Sequence, residues 1–139
     1  MKCVVAMSIP LLLASTMSLY AQGTLFDDLG GQPGINKIVD LSVDNYLADP
    51  RIKDIFSESN IDRIRTELKD QFCMIADGPC RYTGHSMSAA HKGLHLTNAN
   101  FNALVEDLQQ AMDSCNIRFA TQNRLLARLA PMQHQVVTR

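Results

Sequence analysis

The chain has 139 residues, enough for one domain, with 46% hydrophobic residues, 19% charged residues and a formal net charge of −1. So balanced a charge offers no basic surface, and neither nucleic acid nor a specific membrane partner is expected. The four cysteines fall at no zinc-binding spacing.

Residues 1–21 read as a secretory signal peptide. Met1 and Lys2 form a short basic start, Val4 to Met17 is apolar, and Tyr20-Ala21-Gln22 opens a polar chain. Cleavage after Ala21 competes with cleavage after Ser18. The alternative is an uncleaved anchor facing the periplasm, although the run is short for a spanning helix and contains Pro10. Either reading sends residues 22–139 to an exported, periplasmic location. Removal of the leader takes Cys3 and leaves Cys73, Cys80 and Cys115. An oxidising compartment permits one disulfide among them. The preferred reading is that they are small core or loop residues.

Helical spacing recurs through the remainder and strand-like alternation does not, so an all-α domain is expected. Thr24 to Leu29 forms a short first helix, ended by Gly30-Gly31. Pro33 suits the first turn of the second helix, which places Ile35, Ile38, Val39, Ser42 or Val43, and Tyr46 inward. Asp49-Pro50 ends it. A short turn carries Ile52, Ile55 and Phe56. Asn60 caps a third helix with Ile61, Ile64, Leu68, Phe72 and Ile75 on one stripe, stopped by Asp77-Gly78-Pro79. No pattern holds from Cys80 to Gly84. Ser86 caps a very short helix bearing His91, and Gly93 ends it. Thr97 caps a long helix with Phe101, Leu104, Val105, Leu108 and Met112. Thr121 is a candidate cap for the last helix, where Pro131 predicts a kink or restart.

Two features are odd for a plain bundle. The helix with His91 is barely two turns long, and the wide apolar stripe of the third helix faces a loop-rich segment. A flat apolar cofactor between them explains both; ordinary core packing is the competing reading of the stripe. Met87, Ala90 and Leu94 flank His91 at helical spacing, and an imidazole on such a face can present its free nitrogen to a haem iron. His85, His95 and His134 read as surface residues.

From Thr24 to about Val136 the chain resembles the truncated haemoglobins of group I, the two-over-two globins. The resemblance is carried, in order and at the family's spacing, by Leu25-Phe26-Asp27-Asp28-Leu29-Gly30-Gly31, then Leu47-Ala48-Asp49-Pro50-Arg51-Ile52 leading to Phe56. Gly78-Pro79, Tyr82-Thr83-Gly84, Met87 and Ala90-His91-Lys92-Gly93-Leu94 follow. It implies a two-over-two helical sandwich around haem b (iron protoporphyrin IX), with His91 as the proximal iron ligand. It implies Phe56 and Phe72 against the haem, with Tyr82 and Ser59 near the propionates.

The departures from the family pattern are informative. The usual Phe-Tyr pair of the second helix is Ser42-Val43 here, a common glutamine is Leu68, and Ile64 occupies the gate position. A basic residue that commonly pairs with a propionate is Glu67, and two family glycines are Asp77 and His95. The resemblance therefore implies an apolar distal face of Val43, Ile64, Leu68 and Phe72. Bound dioxygen carries partial negative charge, and a phenol or amide donor stabilises it by about 1–3 kcal/mol. Without such a donor, faster oxygen release and easier autoxidation are expected, while carbon monoxide and nitric oxide lose less. Ser42, Tyr46 and Gln71 are the residues able to restore polarity.

The function implied is reversible binding of a diatomic gas (O2, NO or CO) for storage, delivery or sensing, with a reductase as a further partner. Nitric oxide dioxygenation and a peroxidase-like reaction are the enzymatic alternatives. A persistent oxy complex or a distal acid–base group would favour them, so gas binding is preferred over catalysis. A haem-free helical interaction module is the third reading, and it requires His91 to be incidental.

Overall fold

A computed structural model of the protein describes residues 23–138; the leader expected over 1–21 lies outside them. The described residues are all-helical. In chain order they form α1 (Leu25–Asp28), α2 (Gly31–Ala48), a 3-10 turn (Lys53–Phe56), α3 (Ile61–Ile75), α4 (Met87–Ala90), α5 (Asn98–Ser114) and α6 (Phe119–Leu129). A 3-10 turn (Ala130–Met132) and α7 (Gln133–Val136) complete the set.

Side-chain caps start most helices. Thr24 Oγ1 accepts from Asp27 N at 3.1 Å, Asn60 Oδ1 from Arg63 N at 3.0 Å, and Ser86 Oγ from Ala89 N at 3.3 Å. Thr97 forms a reciprocal capping box with Asn100. The last cap differs from expectation: α6 starts after Arg118, and Thr121 is a buried residue inside the helix. Pro131 lies in the 3-10 turn that separates α6 from α7, so of the kink or restart expected there the chain shows the restart.

The α1–α2 corner depends on glycine. Gly30 and Gly31 take positive φ of 88° and 63°, and a Cβ on Gly34 would meet Leu29 O at 2.0 Å. The chain thus turns tightly enough for α1 to pack on both α2 and α6.

At the centre, α2 packs against α3 and α5. Leu25, Leu29, Ile35, Ile38, Val39, Val43, Leu108, Met112 and Leu125 are buried there at 0–1% exposure. Each such side chain stabilises the fold by about 1.5–3 kcal/mol before entropy is counted. Ion pairs lock α3 along α2: Arg65 with Asp44 at 2.5 Å and Lys69 with Asp40 at 2.8 Å. Partly exposed pairs of this kind orient helices more than they stabilise them.

Cys73 and Cys80 form a disulfide, Cα–Cα 5.7 Å, a pairing that the sequence leaves open and that replaces the plain core-or-loop role preferred for these cysteines. Cys73 is on the buried face of α3, and Gly78 brings the chain back across it, so the two sulfurs meet. Cys115 is free.

Candidate functional site

A cavity of about 250 Å³ opens between α3 on one side and the segment around His91 on the other. Ile64, Leu68, Gln71 and Phe72 come from α3, Tyr46 from α2, and Ile55, Phe56 and Ser59 from the connection between them. Met87, Ala90, His91, Leu94 and Leu96 form the opposite wall. Asn100, Phe101, Leu104, Val105 and Leu108 of α5 form the back, and Leu129, Met132 and Val136 close one end. Glu67 and Tyr82 stand where this cavity meets a polar groove that also contains Arg63.

His91 is the C-cap of α4 and is half-buried. Its Nδ1 lies 2.8 Å from Met87 O. A carbonyl oxygen only accepts, so Nδ1 carries the proton and Nε2 keeps its lone pair free. The carbonyl also fixes the ring's orientation, as partners of a metal-ligating imidazole commonly do.

At the mouth, Tyr82 Oη donates to His85 O at 2.6 Å, and Arg63 pairs with Glu67 at 2.7 Å. Burial raises the Tyr82 phenol above its usual range; the Glu67 charge adds to this and Arg63 opposes it. Deeper in, burial pushes the Tyr46 phenol well above its usual range, with the Ser42 side chain opposing and the Asp107 charge adding.

Seven of the residues expected at the site meet here: His91, Phe56, Ile64, Leu68, Phe72, Tyr82 and Ser59. Val43 does not. It is 1% exposed among core side chains, and Tyr46, three residues on, stands on the cavity wall instead. At 100° per residue the two point about 60° apart, which separates a core position from a cavity position on one helix. Tyr46 and Gln71, which the sequence offered only as possible sources of polarity, both line the cavity. So do Phe101, Leu104 and Leu108, whose stripe has the same spacing as ordinary core.

The donor chemistry suits one kind of cofactor. Among the described residues no cluster of three or more His, Cys, Asp or Glu side chains could hold a metal ion. A single imidazole in a mainly hydrocarbon cavity holds iron only if a flat ring supplies the other nitrogens. The mainly apolar lining of the two walls, with Leu94 still 44% exposed, suits such a ring.

Fold and cavity together define a globin. The sequence profile of the bacterial-like globins matches residues 24–138. A group 1 truncated haemoglobin of Tetrahymena thermophila is 34% identical over 96 residues, 69% of this chain and 79% of that protein. One from a Nostoc species is also 34% identical, over 64% of this chain and 75% of its own length. The crystal structure of the Tetrahymena pyriformis truncated haemoglobin in its Fe(III) form superposes with a TM-score of 0.81 at 27% identity, covering 84% of this chain and all of that one. The two-over-two haemoglobin of a Synechococcus species gives a TM-score of 0.77 at 26% identity over the same shares. The chain belongs to the group 1 truncated haemoglobins, a haem-binding family of globins whose ligands are diatomic gases.

Proposed function

We propose that the protein holds haem b through Nε2 of His91 and binds O2, CO or NO reversibly on the opposite face. One observation carries this reading: the His91 ring has its Nδ1 proton committed to Met87 O, so its basic nitrogen is the one left on the cavity wall. When bound, haem supplies the iron centre at which a gas is held. The chain's own residues do the rest. Phe56, Leu68 and Phe72 exclude water from the ring's faces, and Arg63 and Ser59 offer polar contacts at the mouth.

Absorption spectra of the wild type and His91→Ala, ferrous and ferric, with and without CO, test the assignment. The wild type should show a haem spectrum that His91→Ala loses or grossly alters. An unchanged spectrum in the variant would refute the proximal ligand. The peroxidase-like alternative stays subordinate because His91 is the single histidine on the cavity wall among the described residues, which leaves no distal histidine as acid–base group. Use as an oxygen store or carrier requires a reductase that returns the iron to its ferrous form.

Export to the periplasm is part of the proposal. The basic-apolar-polar start of residues 1–21 supports it, and so does the Cys73–Cys80 disulfide, a bond favoured in oxidising compartments. Intact mass of the protein recovered from cells would read out cleavage directly; retention of residues 1–21 would instead favour the anchor.

A further inference from the structure

We propose that Met87 is a redox modification site: hydrogen peroxide entering the cavity converts its thioether to the sulfoxide, and Gln71 accommodates the added oxygen. The modification itself does not depend on haem. Its consequence at His91 rests on the haem reading above.

Met87 opens α4 and stands half-buried on the cavity wall. Gln71 meets it from α3: Nε2 donates to Met87 Sδ at 3.3 Å, so this bond joins the two walls. Gln71 is 6% exposed. A buried amide donor is poorly served by a thioether, because methionine sulfur is a weak acceptor. A sulfoxide oxygen is a strong one. The other methionines are placed differently. Met112 is 0% exposed in the core, closed to peroxide, and Met74 is 43% exposed and forms no part of the cavity wall. Met132 closes one end of the cavity beside Leu129 and Val136. Oxidation of a core methionine forces a polar oxygen into hydrocarbon; at Met87 a donor already stands in place.

The step is a two-electron oxygen transfer. A lone pair of Sδ attacks one peroxide oxygen, and the S–O bond forms as the O–O bond breaks. The departing hydroxide takes the proton of the transferred oxygen and leaves as water. Sulfur is oxidised and the peroxide is reduced. One sulfur lone pair faces the Gln71 amide, and the other is left for the peroxide. Negative charge gathers on oxygen as the O–O bond breaks, and the carboxamide has a second N–H with which to meet it.

The effect reaches His91 through the backbone. Met87 O accepts from His91 Nδ1 at 2.8 Å and from His91 N at 3.1 Å, so residue 87 sets the orientation of the ring. A sulfoxide drawn to Gln71 moves the start of α4 and the carbonyl with it. It also makes an apolar wall more polar. The oxidised chain therefore holds haem more weakly.

The test treats the full chain, haem-loaded and haem-free, with hydrogen peroxide and follows each methionine by peptide mass. Met87 should gain one oxygen at least as fast as Met74, although Met74 is the more exposed. Gln71→Leu should slow oxidation at Met87 about fivefold, the weight of one hydrogen bond, and leave Met74 unchanged. Haem transfer to an acceptor globin should become about fivefold faster in the oxidised wild type. Methionine sulfoxide reductase should restore the original rate, and the same peroxide treatment should not alter transfer from Met87→Leu. Slower oxidation of Met87 than of Met74 in both forms, or an unchanged Met87 rate in Gln71→Leu, overturns the site. Oxidation at Met87 with unchanged haem transfer overturns the link to His91. A chain that takes up no haem yet oxidises at Met87 overturns the haem reading and supports the site.

Discussion

The two walls of the cavity are built on opposite principles. α3 is a continuous 15-residue helix whose end buries Gln71, Phe72 and Cys73 and whose flank is ion-paired to α2. The facing segment, residues 77–95, contains one four-residue helix and no buried residue at all. It is held by its ends and by local bonds. Cys80 ties one end to α3, and Leu96 anchors the other, its carbonyl accepting from Thr138 N at 3.0 Å. Between them lie the Ser86 cap and the Tyr82–His85 contact. The first wall owes its position to the protein core. The second places the apolar side chains of Met87, Ala90 and Leu94 on the cavity wall, where a bound cofactor would complete its core. Segments with so little burial open locally at low cost. This wall is therefore the part of the molecule most dependent on haem.

Substitutions on the two walls should separate sharply. Ile38→Ala, beneath the packed wall, is expected to cost the haem-free chain about 2–5 kcal/mol by denaturant titration. Leu94→Ala, on the other wall, should change that figure by less than about 0.5 kcal/mol while speeding haem loss to an acceptor globin. Equal stability costs at the two sites would abolish the distinction. Next in size is the tether. Cys80→Ser should lower stability by about 2 kcal/mol under non-reducing conditions and make no difference once a reductant is present. A loss that persists under reductant would mean that packing, not the bond, holds that end.

Backbone strain gives a smaller effect of opposite sign. Asp77 and His95, standing where the family has glycines, take φ of 64° and 53°. His95→Gly should therefore stabilise the chain by about 1 kcal/mol, shown by a higher melting temperature; a lower one would mean that the histidine side chain compensates. The least effect is expected in the packed half. Asp107 is 4% exposed, and its Oδ2 has no hydrogen-bond partner among the described residues. Burial, with the Asp49 charge next, raises its pKa, whereas Arg51 holds that of Asp49 down. A raised carboxyl favours the fold at low pH and loses that contribution as pH rises through the folded value. Asp107→Asn should thus stabilise the chain at pH 7 by less than about 1 kcal/mol, with the gain gone below about pH 4. A gain that persists at pH 3 would contradict this assignment.

Much of this was readable in the chain. Asn60, Ser86 and Thr97 announce their helices because capping is a local transaction between one side chain and a backbone two or three residues away. His91 was identifiable through its neighbours, and the Asp77 and His95 positions through the family's glycines. The disulfide was not, since three cysteines leave the pairing open until Gly78 turns the chain back over Cys73. Thr121 misled because a residue suited to capping is equally at home buried inside a helix.

By itself the sequence determined the all-helical class, most helix starts and the place of His91 beside a very short helix, all set by interactions within a few residues of chain. Which side chains face the cavity was decided only by tertiary structure. A helix presents core and cavity as adjacent apolar sectors, and an apolar pattern cannot say where one ends. The packing of α2 between α3 and α5 draws that line between Val43 and Tyr46. A difference of about 60° around one helix axis thus puts a phenol, not an isopropyl group, on the wall of the site.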